Sequence, residues 1–375
     1  MVSFIKLSGL GFLLSAGLIA LGTDIIPRRC NVPGTSLLAA QPTPVRSFPP
    51  PPVSPFVVRP GLDPAFPLEP ALPPNIERFD VKTTYADVPT VPFYIRCPAN
   101  YVPETDPSKR KLHRLLLICP YLNHSALANL KGEEGTGPLL KMADERGWFV
   151  LVPYFSQKYK TAADAHDRNR FYYYPETFSG KTVVAAIKET TKRYPVDTWR
   201  LFVHGMSGGA QFVHRFTIWA PEHVAAVSIN SASWIDPPQK RSARVAWLVV
   251  YGELDPCAKS HQEFLDELQK LGAITVRRSY SDDGHGGCHN QLTAAFFAFY
   301  DGLTKDELGR CPNPNAEEPV GSARMPPKKM PFVGDTLNWQ YYPNTSEVRN
   351  NIPATNRVFL PTEDIAKAWG KKGDL

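Results

Sequence analysis

The sequence predicts an α/β protein: a mostly parallel central sheet with helices on both faces and no large lid domain. Three observations predict it. Short apolar runs alternate with helix-length segments from residue 75 to about 305, the pattern of a sheet built from strand–helix–strand units. The central runs are continuous in apolar character, as in strands covered on both faces. A glycine-flanked turn, Gly205-Met206-Ser207-Gly208-Gly209, joins one such run to a helix-length segment.

Residues 79–84 and 92–97 read as two early strands. Leu115, Leu116, Leu117, Ile118 and Cys119 form the first buried strand. Residues 138–145 read as a helix opened by Pro138, where the missing N–H has no helical partner to lose. Residues 148–152 give the next buried strand, residues 178–194 carry helical spacing, and residues 201–203 form a short apolar strand. A helix at 211–219, strands at 224–229 and 245–251, a helix at 261–271, a strand at 275–280 and a helix at 291–303 complete the series. Each crossover is expected to be right-handed, and ligands in such sheets lie beyond the carboxyl ends of the strands.

The ends of the chain differ in composition. Lys6 precedes an apolar stretch over residues 7–21, and Ala20-Leu21-Gly22 offers a small-x-small cleavage site. Residues 1–22 are therefore expected to be an export signal, with an uncleaved signal anchor as the alternative. The apolar run is short for a bilayer crossing, so no stable membrane insertion is expected after cleavage. Residues 23–74 are proline-rich, including Pro49 through Pro52, and read as an extended linker. Residues 75–305 form the expected catalytic domain. Residues 306–375 form a tail expected to wrap that domain, with a short helix at 362–369 capped by Thr362. Trp339, Tyr341 and Tyr342 in that tail read as packing residues. The formal charge of +6 contains no dense Lys/Arg block, which excludes an extended nucleic-acid groove. Cys30 follows Pro27-Arg28-Arg29 and lies in no lipid-attachment motif.

The turn around Ser207 carries the chemistry. The match to G-x-S-x-G gains force from its place between a strand and a helix, where a sharp turn projects a serine hydroxyl from the sheet. A serine needs a base to become a useful nucleophile. Asp255 falls at the end of the next-but-one strand, in Tyr251-Gly252-Glu253-Leu254-Asp255-Pro256. His285 follows one helix and one strand later, in Asp282-Asp283-Gly284-His285-Gly286-Gly287. The order Ser, acid, His is the one that this strand–turn–helix context requires.

Ser207, Asp255 and His285 resemble the triad of the α/β-hydrolase superfamily. The stretch from Val196-Asp197 through Arg200, the serine turn, Pro221 and Val224 resembles secreted esterases of the polyhydroxybutyrate-depolymerase and feruloyl-esterase type, over about residues 115–300. That resemblance implies the α/β-hydrolase fold and ester hydrolysis through an acyl-enzyme, with no cofactor. It puts one oxyanion donor at Gly208 N–H and a second in the loop after residue 119. Many relatives carry His-Gly in that loop, whereas this chain has Pro120-Tyr121-Leu122. Pro120 has no N–H, which leaves Tyr121 or Leu122. By likeness to cutinase-type polyester hydrolases, Trp234 would line the acyl pocket; a packing role is the alternative. Tyr172 to Tyr174 are candidates for lining the cleft.

The chain has six cysteines, an even count that permits disulfides in an oxidising compartment. Cys257 and Cys288 flank the acid and base, and a disulfide between them, as in some secreted polyester hydrolases, would clamp the two loops together. His289 is the competing base. A metal cluster of His285, Asp283, Cys288 and His289 would leave Ser207 and Asp255 unexplained, so no metal is expected. The expected protein is a secreted or periplasmic serine esterase acting on a small, bulky or polymeric ester. The alternatives are a peptidase on the same fold and a binding protein that has kept it.

Overall fold

A computed structural model describes residues 72–106, 110–121, 125–155, 171–286, 289–302 and 330–373. The expected export signal and nearly all of the expected linker lie outside the described residues. No described helix is long and apolar enough to cross a membrane.

The chain enters through β1 (Ile76–Lys82) and β2 (Thr90–Arg96), an antiparallel pair. There follow β3 (His113–Cys119), α1 (Ala126–Lys131), α2 (Gly137–Arg146), β4 (Phe149–Pro153), α3 (Ser179–Arg193) and β5 (Val196–Met206). Next come α4 (Gly208–Trp219), β6 (Val224–Asn230), β7 (Ala246–Gly252), α5 (Ala258–Lys270), β8 (Thr275–Tyr280) and α6 (Asn290–Asp301). The eight strands form one sheet in the order β1-β2-β4-β3-β5-β6-β7-β8. All neighbours from β4 to β8 pair in parallel, while β2 meets β4 antiparallel. This is the strand order of the α/β-hydrolase fold, as expected.

The continuous apolar runs have the two-sided burial they imply. On β3, Leu115 and Leu117 face a core shared with Phe212 of α4, while Leu116 and Ile118 face a core shared with Phe296 of α6. The same alternation divides Phe149 and Leu151 from Val150 and Val152 on β4. Two hydrophobic cores therefore sandwich one sheet, and the inner strands β4, β6 and β7 are buried throughout.

Local chemistry sets the helix ends. Ser125 Oγ accepts from Leu127 and Ala128 N–H, and Gly132 closes α1 at φ 83°. Gly147 closes α2 at φ 69°, a left-handed position that glycine takes without steric penalty. At the other end of the sheet, Arg114 joins Asp197 (2.8 Å) to Asp301 (2.9 Å), linking β3, β5 and α6.

The tail is more structured than its composition indicates. It forms β9 (Phe332–Asp335), β10 (Gln340–Pro343), α7 (Ser346–Asn351), β11 (Arg357–Leu360), α8 (Glu363–Trp369) and β12 (Lys371–Lys372). Its strands make a second sheet in the order β11-β9-β10-β12. The helix expected at 362–369 is α8, and Thr362 Oγ1 accepts from Ile365 N–H at 3.2 Å. Trp369 is fully buried in the core shared with α6. A Cβ at Gly334 would stand 2.4 Å from its ring, which is why the middle of β9 carries glycine.

Trp369→Ala is expected to cost about 3–5 kcal/mol. Guanidinium unfolding is expected to show one cooperative transition, because the second sheet shares its core with α6. Two separate transitions would show that β9–β12 unfolds on its own.

Candidate active site

The site begins where consecutive connections leave the sheet in opposite directions. From β3 the chain moves outward to β4, then returns past β3 to β5. The carboxyl ends of β3 and β5 thus flank a topological switch point, where such sheets bind ligands. Ser207 stands there, between β5 and α4, with φ 50° and ψ −118°, backbone angles that a non-glycine residue rarely holds. Its N–H donates to Asn230 O at 2.9 Å, anchoring the turn to β6.

The glycines around it have contacts that permit no side chain. A Cβ at Gly205 would stand 2.4 Å from the Gly209 carbonyl carbon, and one at Gly209 would stand 2.0 Å from the Cys119 carbonyl oxygen. A Cβ at Gly208 would stand 2.8 Å from Tyr173 Oη and 2.9 Å from Tyr172 Oη. The first turn of α4 is therefore pressed against the end of β3, with two tyrosine hydroxyls beside it. Gly208 N–H is among the donors that a helix start leaves without an intrahelical partner, and the helix dipole adds positive potential there.

The three residues singled out by order and context come together. Ser207 Oγ lies 2.8 Å from His285 Nε2, and His285 Nδ1 lies 2.8 Å from Asp255 Oδ2. Asp255 Oδ1 accepts from Cys257 N–H at 2.9 Å. Next to an ionised carboxylate, Nδ1 carries the proton and Nε2 is left to accept from the serine hydroxyl. The Asp255 side chain is 1% exposed and that of His285 is 42% exposed. The acid is thus enclosed and the imidazole open to an incoming molecule.

The acid and base loops meet through backbone. Leu254 N–H donates to Asp283 O at 3.0 Å, and Glu253 N–H donates to Tyr280 O at 2.9 Å. A Cβ at Gly252 would stand 2.2 Å from Asp283 O, so this glycine allows the contact. His289, the competing base, instead pairs with Asp283. Its ring stacks on Tyr280 at 3.4 Å between centroids and 16° between planes.

The remaining candidates divide. Tyr121 donates its phenol to Glu134 Oε2 at 2.9 Å. Leu122 lies outside the described residues. Trp234 is 38% exposed on the loop after β6. Cys257 carries a free thiol, as do Cys97 and Cys119, and no disulfide forms among the described residues. The expected partner of Cys257, Cys288, lies outside the described residues. Among the described residues no group of three or more His, Cys, Asp or Glu is placed to hold a metal ion.

Sequence reasoning missed the supports of the Trp234 loop. His261 Nε2 accepts from Ala232 N–H at 2.9 Å, so its Nδ1 carries the proton and donates to Cys257 O at 2.9 Å. One neutral imidazole thus ties the Trp234 loop to the acid loop. His214 repeats the device: Nε2 accepts from Asp236 N–H at 3.0 Å and Nδ1 donates to Ala210 O at 3.2 Å. Arg215, 4% exposed, reaches Trp234 O at 3.3 Å and Asp236 Oδ1 at 3.1 Å, with its guanidinium 4.4 Å from the Tyr174 ring centroid. The available signal was two adjacent polar residues, His214 and Arg215, on a short helix that is otherwise largely apolar.

No family model and no curated protein matches the chain. Solved structures with a similar course of chain include a thermostable esterase, at 16% identity and TM-score 0.45, over 60% of this chain and 62% of that one. A ferulic acid esterase matches at 14% identity and TM-score 0.45, over 60% of this chain and 96% of that one. A poly(3-hydroxybutyrate) depolymerase from Bordetella parapertussis matches at 16% identity and TM-score 0.43, over 62% and 93%. The chain spans less than two thirds of the length of the thermostable esterase.

Burial sets a measurable pH dependence. Desolvation pushes His214 and His204 from the ordinary 6.5 down to about 3. Below pH 6.5 the unfolded chain takes up protons that the folded chain refuses. Stability is therefore full above pH 6.5 and falls as the pH drops toward 3, by about 1.4 kcal/mol per pH unit for each imidazole. Urea unfolding at pH 7 and pH 5 is expected to show a smaller acid loss in His214→Gln than in the wild type. An unchanged difference would show that His214 is protonated in the folded state.

Proposed function

We propose that this chain is an exported serine hydrolase that cleaves carboxylic esters through an acyl-enzyme. The observation that carries the reading is the unbroken hydrogen-bonded series Ser207–His285–Asp255, set on a strained turn at the sheet's switch point. Oγ of Ser207 attacks the ester carbonyl while His285 Nε2 takes its proton. Asp255 holds the imidazole and favours the imidazolium that forms. Gly208 N–H donates to the oxyanion, with a second donor from Tyr121 or Leu122. His285 returns the proton to the departing alkoxide, takes one from the water that attacks the acyl-serine, and passes it to Ser207 Oγ as the carboxylic acid leaves.

Bulky or polymeric esters are the proposed substrates. His285 is partly open to solvent. The residues between Ser207 and Asp255 are taken up by α4, β6, β7 and their connections, which leaves little room for a lid domain at that point. Trp234 is the proposed acyl-side wall. Export rests on the n-region, apolar stretch and cleavage site of residues 1–22.

A fluorophosphonate probe is expected to label Ser207 stoichiometrically, with labelling lost in His285→Ala. Ser207→Ala is expected to lower kcat on p-nitrophenyl acetate by roughly 10⁴- to 10⁶-fold with an unchanged circular dichroism spectrum. Turnover retained in folded Ser207→Ala would remove the assignment.

A further inference from the structure

Around His285 the described side-chain positions face open space. A Cβ at Gly284 or Gly286 would meet nothing within 4 Å, and His285 itself is exposed. An imidazole that must stay within 2.8 Å of both Ser207 and Asp255 therefore has to be held from the base of its loop. That base is closed by Asp283 and His289, which pair with each other across the loop. Asp283 is fixed to the acid loop by Leu254 N–H, and its own N–H donates to Tyr280 O at 3.3 Å.

From His289 a series of planar groups runs out of the main sheet. His289 stacks on Tyr280 at 3.4 Å. The Arg278 guanidinium lies 4.2 Å from the Tyr280 ring centroid and 4.1 Å from that of Trp339. Arg278 and Tyr280, two residues apart on β8, face the same side of the sheet. Trp339 belongs to the turn between β9 and β10, in the C-terminal sheet.

Trp339 is itself fixed. Its N–H donates to Asp335 O at 2.8 Å, and its carbonyl accepts from Lys371 N–H at 3.0 Å. Its ring packs on Trp369, 5.0 Å between centroids, and the Trp369 indole N–H donates to Arg277 O at 2.6 Å. Trp339 also has φ 55°, a conformation in which glycine or asparagine would cost the turn less. A large β-carbon-bearing residue in that position is explained by what its ring touches, not by the turn.

We infer that the C-terminal sheet is a brace for the base of the proposed triad, with Trp339 as a positioning residue acting through Arg278, Tyr280 and His289 on the loop that holds His285. The inference rests on the hydrolase reading above. It assigns residues 332–372 a part in turnover, beyond covering the edge of the main sheet.

Three variants test it in the full-length protein: Trp339→Ala, Trp339→Phe and Leu360→Ala. Leu360 is fully buried in β11 and takes no part in the stacked series, so its truncation lowers stability without removing a member of that series. Trp339→Ala is expected to lower kcat on p-nitrophenyl acetate about ten- to a hundred-fold, with KM little changed, as misplacement of a reacting group does. Trp339→Phe, which keeps a ring beside Arg278, is expected to recover most of that loss, and Leu360→Ala to keep near wild-type kcat despite a lower melting temperature. Hydrogen exchange in the segment 281–290 is expected to quicken in Trp339→Ala alone. Wild-type kcat and exchange in Trp339→Ala, or an equal kcat loss in Leu360→Ala, would overturn the brace. Ser207→Ala measured in parallel separates the two ideas: retained turnover there removes the hydrolase reading, while hydrogen exchange still decides the brace.

Discussion

The first turn of α4 approaches β3 so closely that only hydrogen fits between them, and the geometry of the site follows from that contact. Gly209 lies against the Cys119 carbonyl, and Gly205 lies against Gly209. A methyl group at either place would push the helix start away by an ångström or more. Ser207 Oγ would then leave hydrogen-bond range of His285, and Gly208 N–H would no longer point where the oxyanion is proposed to form. The same contact forces Ser207 to φ 50°, a conformation costing of order 1–3 kcal/mol. Burial offsets that cost. β5 is an inner strand with parallel neighbours on both sides, and α4 is apolar and buried along nearly its whole length. The strain sits between two buried elements that can hold it.

The acid is stabilised by a different means. A carboxylate with a side chain only 1% exposed is tolerated when its oxygens are engaged. Asp255 satisfies this with Cys257 N–H on one oxygen and His285 on the other. Burial also supplies the two imidazoles that hold the neighbouring loop. His214 and His261 are kept neutral by desolvation, and a neutral imidazole offers one donor and one acceptor at fixed separation. Each joins a helix-side carbonyl to an N–H of the segment around Trp234. A lysine or glutamine could not do this with the same rigidity, because each has more rotatable bonds to order.

These two kinds of constraint explain what could be read from the chain. The serine turn was legible because Gly205 and Gly209 are required by backbone contacts, and a required glycine leaves a pattern. Asp255 was legible because it follows the continuous apolar strand β7, and His285 because it comes one helix and one strand later, in the required order. The competition between His285 and His289 was not decided by sequence, since either lies within reach of the same strand end; Asp283 and Tyr280 engage His289 and leave His285 to the serine. β5 begins at Val196, earlier than expected, because Asp197 and Arg200 interrupt the apolar run while the backbone still pairs with β3. The strands β9 to β12 have two to four residues each. That is too short for a period of two to emerge from proline- and asparagine-rich surroundings. The supports at His214, Arg215 and His261 left no pattern either, since each depends on a tertiary partner distant in sequence.

β8 presents a problem that the C-terminal sheet solves. As the last strand of the main sheet it has one unpaired side, the usual place for unwanted strand addition. Two arginines, Arg277 and Arg278, charge it, and the second sheet covers it. The Trp369 indole N–H donates to the Arg277 carbonyl, and the Arg277 guanidinium donates to Thr336 Oγ1 and Thr355 O. Protection of this kind must be rigid to be effective, because a frayed cover exposes the edge again. β8 is also the strand that runs directly into the His285 loop. Any element that immobilises its outer side therefore limits where that loop can begin, and the stacked series from Trp339 to His289 extends the restraint past the end of the strand. Covering the edge and holding the base are thus consequences of one placement of one small sheet.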